Sequence, residues 1–296
     1  MTEATSNTIT IGDVEITRVD ELILPTSIRW LLPDALGDVV ERAFEWLKPQ
    51  FMNDEGYLLQ SIHTFVVRAS GLTILVDTGV GNDKPRGGRI PAFNMLSTPF
   101  IQRLADAGVE PNEVDFVFCT HVHGDHVGWN TTLVDGEWVP TFPNARYLCA
   151  RPEWEYWTSI EGEGEDATQQ LLDDSMYPIR DAGLLDLVAT DHRICDEVWL
   201  EPSHGHSPGH VSVRIESAGA SAVMIGDALH SPLQCAVPEL RPALDRDEVP
   251  AREARLALLD RYADSGTLVF GAHFAAPSAG LVSRDGNAFK FTAYTP

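Results

Sequence analysis

Short runs of β-branched and aliphatic residues recur along the chain at Thr64 to Arg68, Leu72 to Val76, Phe116 to Cys119, Val211 to Ile215, Ala222 to Ile225 and Thr267 to Phe270. Each reads as a half- or fully buried strand. Helical segments lie between them. Thr98 and Pro99 suit a helix start, Phe100, Ile101 and Leu104 give it an apolar face, and Gly108 suits its end. A second helix is predicted from Pro250 to about Ser265, with Leu256, Leu259 and Tyr262 turned inward and Gly266 just beyond. Strands mixed with helices from end to end predict a layered α/β fold. No linker interrupts the pattern, so residues 1–296 are read as one domain. The stretch from Pro25 to Tyr57 differs, carrying Trp30, Leu31, Leu32, Phe44, Trp46, Phe51 and Met52 with few strand signals. It is expected to be a helical excursion that covers a site, meets a second subunit in a homodimer, or packs plainly on a sheet.

Composition narrows the picture. A chain of 296 residues with 44% hydrophobic content can bury a substantial core. No apolar run approaches the roughly 20 residues that span a bilayer. The opening MTEATSNTITIGDVEI lacks a basic start followed by an apolar stretch, so a cytoplasmic location is expected. The formal net charge of −23 repels phosphate backbones and anionic membranes, which argues against nucleic acid and membrane partners. Cys119, Cys149, Cys195 and Cys235 are widely separated and form no CxxC pair, so buried free thiols are expected rather than disulfides.

The ten histidines carry the chemistry. Three fall in Thr120-His-Val-His-Gly-Asp-His-Val-Gly, directly after the apolar run Val114 to Cys119. In an extended segment residues two apart point the same way, so His121 and His123 can converge on one ion. Gly124 then permits a sharp turn that swings Asp125 and His126 toward a second position. Imidazole nitrogen and carboxylate oxygen are good ligands for zinc and related divalent ions. Further ligands follow. Glu201-Pro-Ser-His-Gly-His-Ser-Pro-Gly-His offers three histidines in a turn-rich loop, while Asp227 and His273 each stand just past a buried strand. Open α/β sheets commonly place their sites at such strand ends.

Taken together, His121-Val122-His123-Gly124-Asp125-His126, the later His, Asp and His motifs, and Leu75-Val-Asp-Thr-Gly79 resemble the metallo-β-lactamase superfamily. The resemblance implies a four-layer αββα sandwich. It also implies that His121, His123 and His206 hold one metal ion, that Asp125, His126 and His273 hold a second, and that Asp227 bridges both. His206 occupies the ligand place in the family's PGHTPGH-like loop, but His204 and Gly205 before it depart from that pattern, which keeps His204 as the competitor. His210 is expected to support the loop. Asp77 is expected to orient a ligand imidazole by accepting its other N–H, and to shape its own turn. His63 and His192 fit no motif.

Two divalent ions roughly 3.5–4 Å apart share a bridging water and supply hydroxide near neutral pH. Zinc is the expected metal, and manganese, cobalt or iron would accept the same donors. Asp125 and His230 are the candidate catalytic residues. His230 lies three positions after Asp227, where lactonases of this superfamily often carry tyrosine. A histidine there resembles the branch that includes organophosphate-hydrolysing enzymes and lactonase-like relatives. It is expected to donate a proton or hydrogen bond to the substrate, with plain packing as the alternative. Trp30, Phe51, Met52, Phe93 and Trp129 are expected to line a hydrophobic pocket. The expected reaction is hydrolysis of a small-molecule carboxylic ester or lactone, with phosphotriester cleavage as a side reaction. The competing reading is an iron-dependent, dioxygenase-like oxidoreductase on the same fold.

Overall fold

The computed structural model describes residues 8–88, 90–160 and 166–295, so residues 1–7 of the N-terminal stretch read above lie outside it. One sheet has the order β1-β2-β3-β4-β5-β8-β9. Its strands are β1 (Thr8–Ile11), β2 (Val14–Thr26), β3 (Leu58–Ala69), β4 (Leu72–Val76), β5 (Phe116–Phe118) and, beyond the hairpin β6 (Thr131–Val134) and β7 (Glu137–Pro140), β8 (Arg146–Ala150) and β9 (Leu185–Val188). The other has the order β10-β11-β12-β13-β14-β15. It contains β10 (Val198–Pro202), β11 (Val211–Ser217), β12 (Ala220–Met224), β13 (Leu268–Phe270), β14 (Ala279–Asp285) and β15 (Ala288–Ala293). The helices are α1 (Ile28–Leu31), α2 (Asp38–Leu47), α3 (Phe100–Asp106), α4 (Arg151–Ser159), α5 (Asp166–Leu171), α6 (Tyr177–Asp181), α7 (Leu233–Ala236) and α8 (Glu248–Tyr262).

Three apolar clusters explain the layering. Phe65, Val67, Ile74, Val76 and Phe118 of the first sheet pack against Val211, Val213, Ile215, Met224 and Phe270 of the second. The alternate residues Val66, Leu75, Val117 and Tyr147 face Phe100, Leu104 and Ile179 on the outer helices. On the far side Val223, Val269 and Phe291 meet Leu31, Leu47, Leu233 and Leu259. A strand whose successive side chains enter two different cores is buried on both faces, which is why the second halves of β4 (Ile74, Leu75, Val76) and β12 (Ala222, Val223, Met224) are apolar at every position. The result is a four-layer α-β-β-α sandwich.

Several elements differ from the sequence-based expectation. β3 extends six residues before Thr64, and β1, β2, β8, β9, β10, β14 and β15 lay outside the expected runs. Helix α8 begins at Glu248, with the Asp247 side chain accepting from Val249 N–H at 3.3 Å. Its buried face carries Arg255 and Leu258 besides Leu259 and Tyr262, while Leu256 is half-buried. An apolar-periodicity argument passes over a buried arginine. The 25–57 segment packs Leu31, Leu32, Ala35, Leu47 and Met52 onto the second sheet and the loop after β12. No helix among the described residues is long and apolar enough to cross a membrane.

The functional geometry follows from strand direction. β4, β5 and β8 run parallel, as do β12 and β13. The C-terminal ends of β4, β5, β12 and β13 therefore deliver Asp77, the His121–His126 loop, Asp227 and His273 to one rim.

Candidate metal centre

The structure brings His121, His123, His206 and Asp227 together, with one donor atom from each within 4.8 Å of the others. His123 Nδ1 lies 2.9 Å from His121 Nε2 and 3.0 Å from His206 Nε2. Asp125, His126 and His273 form an adjoining group on the same criterion. Asp227 joins the two. Its Oδ2 is 3.3 Å from His206 Nε2 and 3.7 Å from His121 Nε2, while its Oδ1 is 3.3 Å from His126 Nε2 and 3.1 Å from His273 Nε2. The seven expected ligands thus converge, and His204 does not join them. Its Nδ1 is turned to the His210 carbonyl at 3.0 Å.

The neighbouring groups fix these side chains. Asp77 accepts from His126 Nδ1–H at 2.9 Å with one carboxylate oxygen and from Thr120 N–H at 2.7 Å with the other. His210 uses both ring nitrogens: Nε2 accepts Asp227 N–H at 2.9 Å, which leaves the Nδ1 proton for Ser203, 2.8 Å away. It therefore supports the Asp227 turn. The His273 ring is held by its Nδ1–H on the Ser61 carbonyl at 3.1 Å. The loop carrying His206 rests on α8 at Gly205, where φ is 136° and an added Cβ would lie 2.1 Å from Ala251 N. Only glycine fits there.

Three buried carboxylates at the back of the site were not legible in the motifs. Glu153, at the start of α4, accepts from Val122 N–H at 2.9 Å and from Ser207 Oγ–H and Gly209 N–H at 2.8 Å each, so one side chain ties the His121 loop to the His206 loop. Glu21 lies beside a register shift in β2 and accepts from Val80 N–H and Trp129 Nε1–H, both at 2.6 Å. Asp245 lies 3.0 Å from His206 Nδ1. A Pro-Glu pair after a strand marks a helix start for Glu153. No local signal identifies the distant partners of the three.

Electrostatics divide the imidazoles into two sets. Burial disfavours a charge on His126 and His273, but the fields of Asp227 and the neighbouring carboxylates outweigh it and raise both. His121 and His206 are pushed well below the ordinary histidine value, chiefly by burial. His123 falls to about 4 and His210 to about 3, again chiefly through burial. Burial also opposes the Asp227 anion, yet His273, His126, His230 and His206 together hold it well below the usual carboxylate range.

The donor set fits divalent cations. His126 Nε2 and Asp227 Oδ1 are buried without a hydrogen-bond partner, as are both ring nitrogens of His230. Such orphans are costly unless something else satisfies them. Tetrahedral zinc with bonds of 2.0–2.1 Å places its nitrogen ligands about 3.3 Å apart, close to the spacings seen here. His230 stacks on His273 at 5.5 Å between ring centroids, with Nε2 3.2 Å from Asp227 Oδ2. Its backbone is clamped by Gln60, whose side chain donates to the His230 carbonyl, and by Gln234, which accepts its N–H.

Of the five residues expected to line an apolar pocket, Trp30 stands on α1 with its side chain exposed, and the other four are committed elsewhere. Phe51 packs in the core against Phe274 and Phe291, and Met52 is fully buried beside them. Trp129 stacks on Phe100 while donating to Glu21, and Phe93 belongs to a separate small cluster with Ile62 and Val80. At the metal centre the aromatic neighbour is Trp157, whose ring meets His123 edge-on at 5.4 Å. A large groove of about 1080 Å³ lies elsewhere, along β2 and α3, and contains none of the clustered ligands.

Comparison with known proteins identifies the family and the fold. Residues 59–273 match the sequence model of the metallo-beta-lactamase superfamily. The N-acyl homoserine lactonase AiiB of Agrobacterium fabrum is 24% identical over 246 residues, covering 76% of this chain and 84% of that protein. The N-acyl homoserine lactonase AiiA of Bacillus thuringiensis subsp. kurstaki is 26% identical over 51% of this chain and 57% of its own length. Among solved structures, the dizinc quorum-quenching lactonase AidC, in complex with a product N-hexanoyl-L-homoserine, superimposes with a TM-score of 0.79 at 21% identity, covering 98% of this chain and 97% of its own. The hydrolase AbOPH superimposes with a TM-score of 0.78 at 23% identity, covering 100% and 99%.

Proposed function

The chain belongs to the metallo-beta-lactamase superfamily, and from that premise we propose that it is a hydrolase that opens a lactone, or cleaves a related carboxylic ester, at a centre of two divalent ions. The observation that carries the reading is Asp227, a buried carboxylate ringed by imidazoles, with Oδ2 toward His206 and His121, Oδ1 toward His126, and His273 Nε2 within 3.2 Å of both oxygens. His121, His123 and His206 would hold one ion, Asp125, His126 and His273 the other, and Asp227 both. Bound divalent ions supply a water of near-neutral pKa and a Lewis acid for the scissile carbonyl. Zinc is the ion we expect there, and manganese, cobalt or iron would accept the same donors. The lactonase names of the relatives favour a lactone over an open-chain ester.

The chain's own groups complete the reaction. Asp77 holds His126 in one tautomer, and His210 holds the Asp227 backbone. Asp125 is half-buried, with Oδ2 3.7 Å from His273 Nε2, and its carboxylate can take the proton of the attacking water. His230 presents an unpartnered ring beside Asp227, placed to donate a hydrogen bond to the carbonyl or leaving-group oxygen. The expected outcome for His230→Phe is a protein that keeps both ions but loses about 10²-fold in kcat/KM. Full kcat/KM with both ions retained would remove His230 from the mechanism.

The direct test is metal quantification on the purified protein, followed by rates on N-acyl homoserine lactones, simple esters and phosphotriesters. Two ions per chain with lactone turnover is the expected result. Iron accompanied by oxygen consumption, or no metal at all, would overturn the hydrolase reading.

A further inference from the structure

Behind His206 lies a buried ion pair that the reaction above does not use. The Asp245 and Arg255 side chains are each 1% exposed and meet at 3.0 Å. One Asp245 oxygen faces His206 Nδ1 at 3.0 Å and the other accepts from Arg255 Nη2. The rest of the guanidinium is spent on backbone. Its Nε donates to the Ala228 carbonyl, and its Nη1 to the Pro238 and Leu240 carbonyls, each at 3.1 Å. Ala228 directly follows Asp227. Leu240 also receives the Gln234 amide at 3.0 Å, and the same Gln234 accepts the His230 N–H.

The structure assigns Arg255 and Asp245 as a positioning pair for the metal centre, in which Asp245 fixes the His206 ring and Arg255 fixes Asp245 together with the Asp227 and His230 turns. The assignment rests on the metal-centre reading above. Its chemistry is specific. A carboxylate on Nδ1–H leaves the Nε2 lone pair facing the other ligands and makes it a better donor. A single carboxylate buried there would be an uncompensated charge, and Arg255 provides the countercharge. A planar fork that reaches a carboxylate and three carbonyls at once is something a lysine cannot reproduce. Helix α8 thus acts as a strut: backbone bonds from Arg246 N–H to the His206 carbonyl and from Asp247 N–H to the Gly205 carbonyl tie the ligand loop to its start.

Metal affinity, measured by chelator competition on purified full-length protein, tests the assignment in wild type, Asp245→Asn, Arg255→Lys, Arg255→Met and the double variant Asp245→Asn/Arg255→Met. Asp245→Asn and Arg255→Met are each expected to weaken metal retention by about 10–100-fold. Arg255→Lys should fall between wild type and Arg255→Met. Because the effect of Arg255 on His206 runs through Asp245 while its bonds to the Ala228 and Leu240 carbonyls do not, the double variant should lose less affinity than the product of the two single losses. If Arg255→Met does not fold, Asp245→Asn and Arg255→Lys still decide. Wild-type affinity in Asp245→Asn, or losses that multiply in the double variant, would overturn the pairing alone. A wild-type chain that holds no metal would overturn the functional reading and this one with it.

Discussion

Asp227→Asn is expected to lower kcat/KM on the best lactone substrate by on the order of 10³-fold or more, with metal content falling to one ion or none. The substitution nearly preserves shape, so the effect isolates charge and donor type. An amide offers one acceptor oxygen where the carboxylate offers two, and its NH₂ cannot ligate. The two oxygens of Asp227, Oδ2 toward His206 and His121 and Oδ1 toward His126, with His273 near both, then cannot both serve as ligands. The same change removes the anion that raises His126 and His273. A loss of 10³ corresponds to about 4 kcal/mol of transition-state stabilisation. Elemental analysis beside steady-state kinetics checks it. A variant that keeps two ions and stays within tenfold of wild type would show that Asp227 is not the shared ligand.

What the sequence makes legible here, and what it hides, follows from the range of the interactions. His121 to His126 are neighbours in the chain, and Asp227 and His273 each follow an apolar strand, so spacing and strand ends are enough to find them. The choice of His206 over His204 depends on Gly205 lying against Ala251, a contact between a loop and a helix about 45 residues apart. Asp245, Arg255, Glu153 and Glu21 are harder still. Arg255, Glu153 and Glu21 are charged residues on buried faces, where periodicity arguments expect apolar side chains, Asp245 stands in a loop with no pattern at all, and each acts on partners that only the folded chain brings near. Trp129 errs in the other direction. Its place just after the ligand motif suggests a substrate pocket, but its indole is committed to Glu21 and Phe100.

Complete removal of metal should lower Tm by on the order of 10 °C, since ions at about 1,000 times their dissociation constant stabilise the fold by about 4 kcal/mol. The size of that gap should depend on pH, and the sign can be worked out. In the metal-free protein His126 and His273 titrate above the unfolded histidine value of about 6.5. Their contribution is fully present below pH 6.5 and is lost as pH rises through their folded values. His63, His121, His123, His206 and His210 are depressed, so their contribution is present above pH 6.5 and is lost as pH falls. The metal-free fold therefore loses stability from these histidines in both directions away from about pH 6.5. Ligation at Nε2 excludes the second proton of His126 and His273, which removes the loss on the alkaline side. Lys84, pushed down to about 7 by burial, adds stability above that pH, but it does so with or without metal and cancels in the comparison. The gap in Tm between loaded and metal-free protein should thus widen from pH 6.5 to 8.5. Paired thermal melts across that range decide the matter: a gap that is constant or narrows would mean that His126 and His273 do not exchange protons for metal.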